Sequence, residues 1–330
     1  MGIIEVAMKC ENIKIEKTHL IQVDNGNGLR VLFSALGASI YAIFLDDKLM
    51  TLTPYYIKDF YKKSAYYGKT IGPIAGRIKD GLIDIDGTTY QLELNEENKA
   101  LHGGDNGISN TIFNAKILNS GNGFAIMFSH KRKGSKKGIP GNVTYYVTYS
   151  MNNSENKIYV SHRVIVDKAM VLSLTNHAYF TLGETSIHGL KLKIPSSQIV
   201  NFDPHDLTPM EQMSIPECMD FRKIAPITKD INNDFLMKSK TKGIDHYFVL
   251  DNNEDPLILE GKHVRLEIKT NYQGYQLYTD NYADGIKMKD ITCPDYRGVA
   301  IEPEDSPLER KTYHKGELYD RHVEYSFIRK

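Results

Sequence analysis

Gly81-Leu82-Ile83-Asp84-Ile85-Asp86-Gly87-Thr88-Thr89-Tyr90-Gln91-Leu92 sets two β-prone runs on either side of an Asp-Gly pair. That dipeptide suits the positive φ angles of a tight hairpin turn, so the stretch predicts two adjacent antiparallel strands. Alternation of apolar and polar residues recurs outward from it, in Leu190-Lys191-Leu192-Lys193-Ile194 and Val264-Arg265-Leu266-Glu267-Ile268, as half-buried strands require. Tyr145 to Ser150 and Ile158 to Val166 are rich in Val, Ile, Tyr and Thr, residues that fit a pleated surface. Helical signals are short, one after Pro54 and one near Ile231 to Leu236. No Pro- or Ser-rich linker and no repeat period interrupts the chain, so residues 1–330 read as a single, mainly β domain.

With 330 residues the chain can bury a substantial core. Its 41 basic and 41 acidic residues cancel, which argues against nucleic acid or an anionic membrane surface as partner and fits a small neutral ligand. The run Lys131-Arg132-Lys133-Gly134-Ser135-Lys136-Lys137-Gly138 has no interleaved aromatics and lies between strand-like segments, so it reads as a solvated hairpin loop. Neither its glycines nor Asn25-Gly26-Asn27-Gly28 make a phosphate loop or a dinucleotide fingerprint. Cys10, Cys218 and Cys293 are far apart and form no C-x-x-C pair, which speaks against a disulfide framework or structural zinc and for a reducing cytoplasm. Met1-Gly2-Ile3-Ile4-Glu5-Val6 lacks the layout of a signal peptide, and no apolar run approaches membrane-spanning length. The expectation is a cytoplasmic protein with no membrane partner.

The 11 histidines include no H-E-x-x-H and no close pair with a third carboxylate at helical spacing, so no metal is expected. His177 stands out within Leu172-Ser173-Leu174-Thr175-Asn176-His177-Ala178-Tyr179-Phe180-Thr181-Leu182. Strand alternation puts Leu172, Leu174, Ala178, Phe180 and Leu182 on one face and Ser173, Thr175, His177, Tyr179 and Thr181 on the other. That polar face suits the wall of a sugar cleft, and period two predicts a solvent-facing sheet surface equally well. In Val299-Ala300-Ile301-Glu302-Pro303-Glu304, Glu302 faces away from Val299 and Ile301, and Pro303 is expected to end the strand and leave the carboxylate at a sheet rim. Leu101-His102-Gly103-Gly104 puts an imidazole beside glycines that permit close backbone approach.

Taken in order, these blocks resemble the aldose 1-epimerase (galactose mutarotase) family over most of the chain. The matching blocks are Leu36-Gly37-Ala38-Ser39-Ile40, Ile71-Gly72-Pro73-Ile74-Ala75-Gly76-Arg77-Ile78, the Asp86-Gly87 hairpin and Ala100-Leu101-His102-Gly103-Gly104. Gly138-Ile139-Pro140-Gly141-Asn142, Thr175-Asn176-His177-Ala178-Tyr179-Phe180, Gly243-Ile244-Asp245-His246 and Tyr275-Gln276-Leu277-Tyr278-Thr279 with Asn281 follow. Ile301-Glu302-Pro303-Glu304 and the tail from Tyr313 to Phe327 close the series. The resemblance implies an all-β fold, a large antiparallel β-sandwich of the galactose mutarotase type with few short helices. It implies an enzyme that interconverts the α and β anomers of a free aldose such as galactose or glucose, without cofactor, as a monomer or homodimer. By the same analogy Glu302 is the base at the anomeric hydroxyl, His177 the acid at the ring oxygen, and Arg77, His102, Asp245 and Gln276 hold the sugar, with Tyr179 as a wall.

Those roles ask for an ionised Glu302 and a protonated His177, and a carboxylate such as Asp245 or Glu302 would favour the charged imidazole. The chain departs from the family pattern at Pro73, where many relatives have arginine, and at Gly76, where asparagine is common, so an expected amide contact to sugar is missing. Glu304 replaces a frequent glutamine and Leu308 a frequent aspartate; an acid at 304 either raises the pKa of Glu302 or faces solvent. A maltose epimerase, a phosphosugar epimerase of the same fold and a non-catalytic sugar-binding module are the alternatives, the last disfavoured by retention of both His177 and Glu302.

Overall fold

Val143–Asn152 is buried at every second residue: Val143, Tyr145, Val147, Tyr149 and Met151 point inward, and the residues between them are half-exposed. This is the period of a sheet with one face on a core and one toward water. In the computed structural model, which describes residues 9–15, 18–120, 123–134, 139–282 and 284–330, that strand lies in a nine-stranded antiparallel sheet. Its order runs Asn114–Ser120, Gly123–Arg132, Val143–Asn152, Lys157–Val166, Leu318–Arg329, Val264–Thr270, Leu257–Glu260, Lys191–Lys193 and Ala225–Pro226. A six-stranded antiparallel sheet, Tyr179–Phe180, Val299–Glu304, Gly274–Tyr278, Asp245–Val249, Gln198–Phe202 and Pro209–Ser214, packs against it. A five-stranded sheet from Lys9–Ile15 to Lys48–Leu49 completes the β framework.

One continuous core joins them. Phe128, Val147 and Val160 of the large sheet share it with Phe248, Tyr275, Leu277, Val299 and Ile301 of the six-stranded sheet. Each such side chain taken from water contributes roughly 1.5–3 kcal/mol. Helices are confined to short segments such as Ile57–Phe60 and Asp234–Lys238, both where the sequence places them, the latter capped by Asn233 Oδ1 accepting from Phe235 N. No helix among the described residues is long and apolar enough to cross a membrane. The hairpin at Asp86-Gly87 is present, pairing Ile85 with Thr88 and holding φ of 53° and 78° at its two turn residues.

Two strand expectations are corrected. The run Leu172 to Leu182 is not one alternating strand: Thr175–Asn176 pairs with Thr70–Ile71, and Tyr179–Phe180 pairs with Val299–Glu304. Because each two-residue piece meets a different partner, both of its faces touch protein and the whole run is buried. The strand at Glu302 also does not stop at Pro303. It continues to Glu304, buried throughout, with Pro303 opposite Tyr275. On its other side the ladder with Tyr179–Phe180 reaches only Val299 and Ala300, so that flank needs no donor from the proline. Met1 to Val6 and, within the basic loop, Ser135 to Gly138 lie outside the described residues.

Candidate active site

Register in the six-stranded sheet brings together residues far apart in sequence. Tyr247, Gln276 and Glu302 are directly opposed across neighbouring strands, and Asp245, Tyr278, Ala300 and Tyr179 form the adjacent row. Opposed residues share a face, so Ile301 and Leu277 point into the core while Glu302, Gln276 and Asp245 point out of it. There they floor a cleft of about 190 Å³ whose lining also includes Arg77, His102, His177 and Tyr179. All seven residues singled out from the sequence line this one cleft. Ser173, Thr175 and Thr181 do not: the hydroxyls of Ser173 and Thr175 are buried without a hydrogen-bond partner, the outcome of the broken strand.

His177 and Glu302 are enclosed and meet directly, Nε2 to Oε1 at 3.3 Å. His177 is fixed on both sides of its backbone, its N–H donating to Lys69 O and its carbonyl accepting from Gly68 N. Tyr179 stacks on its ring at 4.9 Å and Tyr66 at 5.7 Å. His102 stands edge-on to His177 at 5.3 Å, on a turn where His102, Gly103 and Gly104 all have positive φ. A Cβ on Gly103 would lie 2.5 Å from Gly72 O, so only glycine lets the turn press against the Gly72 backbone. Gln276 Nε2 donates to Asp245 Oδ1 at 2.6 Å. Arg77 donates from Nε and Nη2 to Glu96 at 2.7 and 3.2 Å, and its Nη1 lies 3.6 Å from Asp245 Oδ2.

Burial governs the protonation of the pair. It pushes His177 down to about 3 and Glu302 well above the usual carboxylate range, with Glu304 and Asp245 adding repulsion that Arg77 partly offsets. The protein alone therefore favours neutral His177 and protonated Glu302, the reverse of the expected ion pair, because desolvation outweighs the attraction on which that expectation rested. Burial also raises Asp245, against the pull of Arg77. It lowers His102 well below the usual imidazole value, reinforced by His177 and Arg77.

His102, His177 and Glu302 bring ligand atoms within 4.8 Å of one another, a set with metal-binding chemistry. However, His102 Nδ1 accepts from Gly76 N at 3.3 Å, which places the proton of the neutral ring on Nε2 as a donor toward the cleft. That tautomer suits a hydroxyl oxygen and not a metal ion.

Of the departures from the family pattern, Gly76 and Glu304 line the cleft. Glu304 is buried rather than solvent-facing, and its charge helps raise Glu302. Leu308 is exposed beside the cleft. Pro73 follows a cis peptide bond and accepts from Ser173 N without reaching the cleft. Sequence reasoning missed Tyr66, Tyr278, Glu96 and Arg310, which complete the walls or hold Arg77. Tyr278 lies within the Tyr275 to Thr279 block without being singled out, and nothing in the local sequence marks Tyr66, Glu96 or Arg310, which are placed by the loops that carry them.

A family model described as aldose 1-epimerase matches residues 19–326. An aldose 1-epimerase of Escherichia coli (strain K12) is 30% identical over 292 residues, covering 81% of each chain. A galactose mutarotase of Homo sapiens is 27% identical over 300 residues, covering 84% of this chain and 83% of that one. Among solved structures, a galactose 1-epimerase from Lactobacillus acidophilus NCFM superposes with a TM-score of 0.88 at 24% identity, covering 98% of this chain and 99% of that one.

Proposed function

The chain belongs to the aldose 1-epimerase family, and on that premise we propose that His177 and Glu302 are the acid and base with which it interconverts the anomers of a free hexose such as galactose or glucose. The observation that carries this assignment is the enclosed 3.3 Å approach of His177 Nε2 to Glu302 Oε1, within a cleft whose lining is mainly polar side chains and aromatic rings. Ring opening needs a proton to leave the C1 hydroxyl while another reaches the ring oxygen, and one base with one acid suffices. Glu302 takes the first and His177 supplies the second as the bond between C1 and the ring oxygen breaks. The aldehyde turns about the C1–C2 bond, and the same groups, with exchanged protonation, close the ring on the other face.

The neutral pair favoured by burial is the protonation state that accompanies the open aldehyde: a protonated Glu302 beside a neutral His177. Enclosure thus stabilises the ring-opened side of the reaction. Glu302 Oε2 has no protein partner, so a sugar hydroxyl donating to it favours the carboxylate and moves the shared proton onto His177, readying the acid. Arg77, His102, Asp245 and Gln276 are placed to hold the remaining hydroxyls, and Tyr179 to pack against the ring. We place the enzyme in the cytoplasm as a single domain, monomeric or homodimeric. Polarimetric mutarotation of freshly dissolved α-D-glucose and α-D-galactose tests the reading: acceleration over the spontaneous rate supports it, and sugar binding without acceleration replaces it with a sugar-sensing module.

A further inference from the structure

Arg297 is 3% exposed and does not line the cleft, yet every nitrogen of its guanidinium donates to an acceptor. Its Nε donates to Asp280 Oδ2 at 2.5 Å and its Nη1 to the Ile286 carbonyl at 2.9 Å. Its Nη2 is shared among Asp280 Oδ1 at 3.1 Å, the Tyr67 hydroxyl at 3.0 Å and Asp284 Oδ1 at 3.2 Å. The Tyr67 hydroxyl in turn donates to Asp284 Oδ2 at 2.5 Å. Arg297, Asp280 and Tyr67 are all buried. Apolar side chains of similar volume often stabilise a protein as well as a buried ion pair does, because the pair must first be taken out of water. Stability is therefore a weak reason for this cluster, and its placement supplies a stronger one.

Each member is joined to a different part of the acid–base site. Arg297 lies just before the strand Val299–Glu304, which carries Glu302. Asp280 lies just after the strand Gly274–Tyr278, which carries Gln276 and pairs with the strand of Glu302. Its carbonyl accepts from Tyr296 N at 2.9 Å, next to Arg297. Tyr67 stands between Tyr66, a wall of the cleft, and Gly68 and Lys69, which hold the backbone of His177 on both sides. Its ring also meets that of Tyr179 at 5.1 Å, and Tyr179 stacks on His177 at 4.9 Å. The ladder between the two sides is short, pairing only Tyr179 and Phe180 with Ala300 and Val299. A planar guanidinium fork adds a fixed geometry that so short a ladder lacks.

We propose that Arg297 is a positioning residue, whose fork, closed through Asp280 and the Tyr67 hydroxyl, sets the separation of His177 and Glu302 for proton transfer. The proposal rests on the reading of those two residues as acid and base. Neither Arg297 nor Tyr67 lines the cleft, so both act through the backbone of Gly68 and Lys69 and through the ring of Tyr179. Proton transfer depends steeply on the distance between donor and acceptor, whereas sugar binding is spread over Arg77, His102, Asp245 and Gln276. Loosening the clamp is therefore read in kcat before KM.

The test measures kcat and KM for mutarotation of α-D-glucose and α-D-galactose, well below each protein's melting temperature. The proteins are the wild type, Arg297→Lys, Tyr67→Phe, their double variant, Glu302→Gln and Val147→Ala. Val147 belongs to the core under the large sheet and does not line the cleft, so its truncation lowers stability without touching the clamp. Lysine keeps the charge against Asp280 without the fork, and phenylalanine keeps the ring on Tyr179 without the hydroxyl. Arg297→Lys is expected to lower kcat about a hundredfold and Tyr67→Phe about tenfold, the scale of a reacting group displaced by up to about 1 Å, with KM little changed. The double variant should be no slower than Arg297→Lys, because both substitutions open the same contact. A kcat that both single variants retain, as Val147→Ala retains it, overturns the proposal. So does a loss confined to KM, and so do effects that multiply in the double variant. Where Arg297→Lys fails to fold, Tyr67→Phe decides alone, and a kcat equal to that of the wild type overturns the clamp. A wild type that accelerates neither sugar, or a Glu302→Gln variant as fast as the wild type, instead removes the acid–base reading on which the proposal rests.

Discussion

Glu302 stands opposite Gln276 in the sheet register, and Gln276 in turn donates to Asp245 at 2.6 Å, so the strand ladder links the proposed base to a proposed sugar-binding carboxylate with Gln276 between them. That link fixes the spacing between the group proposed to move a proton and the group proposed to hold the substrate. A shared strand pair sets it more rigidly than two loops would. On the opposite wall His177 is held by backbone bonds to Gly68 and Lys69. The proposed acid and base thus come from different segments, each pinned independently.

Loss of either proposed proton-transfer group should be severe. We expect His177→Asn and Glu302→Gln each to lower kcat for mutarotation by about 10² to 10⁴, with the fold retained by circular dichroism. Polarimetry with α-D-glucose or α-D-galactose checks this, and a variant keeping more than a tenth of the wild-type rate would remove that residue from the assignment.

The pH dependence follows from burial. His177 is pushed from 6.5 down to about 3, and Glu302 is raised, so the pair in the free enzyme keeps its one shared proton across the interval where an ordinary histidine titrates. The profile of kcat/KM, corrected for spontaneous mutarotation, is expected to be flat through 6.5 and to fall only at lower pH, as a second proton reaches the pair. An acid limb centred at the ordinary histidine value would show that His177 is solvated in the working enzyme.

Arg77 grips Glu96 with two donors and lies near Asp245. A lysine keeps the charge but cannot reproduce the fork. Arg77→Lys should raise KM on the order of tenfold and leave kcat less affected. Equal loss in kcat with no change in KM would instead place Arg77 in the chemical step.

Glu304 offers a stability test. Its carboxyl is raised from 4.5 to about 8, first by burial, so between these values the native state retains a proton that the unfolded chain has released. Stability from this group is complete below 4.5 and is lost as pH rises toward 8. Denaturant midpoints of wild type and Glu304→Gln should therefore diverge with rising pH in favour of the variant, and parallel curves from pH 5 to pH 8 would contradict the enclosure of Glu304.

Gly103 has φ of 90°, and a Cβ there would meet Gly72 O at 2.5 Å. Gly103→Ala is expected to destabilise the protein by about 1–3 kcal/mol through backbone strain and to disturb His102 beside it. Thermal unfolding reads the first effect and KM the second. An unchanged melting temperature would mean that the turn can relax away from Gly72.

The residues alone determined that the chain is built of alternating strands, that Asp86-Gly87 turns a hairpin and that helices are few and short, because these depend on side-chain periodicity and local φ preferences. Family motifs further marked His177, Glu302, Arg77, His102, Asp245, Gln276 and Tyr179, and all of them line one cleft. What only the tertiary structure decided is which neighbours each strand meets and how dry the cleft is. Period two misread Leu172 to Leu182 as one strand, since alternation records a preference for two faces and cannot reveal that successive residue pairs join different sheets. The same limit hid Glu96, Tyr66 and Arg310, which reach the cleft region from loops between strands and helices. It also inverted the protonation of His177 and Glu302, because the charge of a buried pair depends on the water removed from around it, and the amount of water removed is a property of packing.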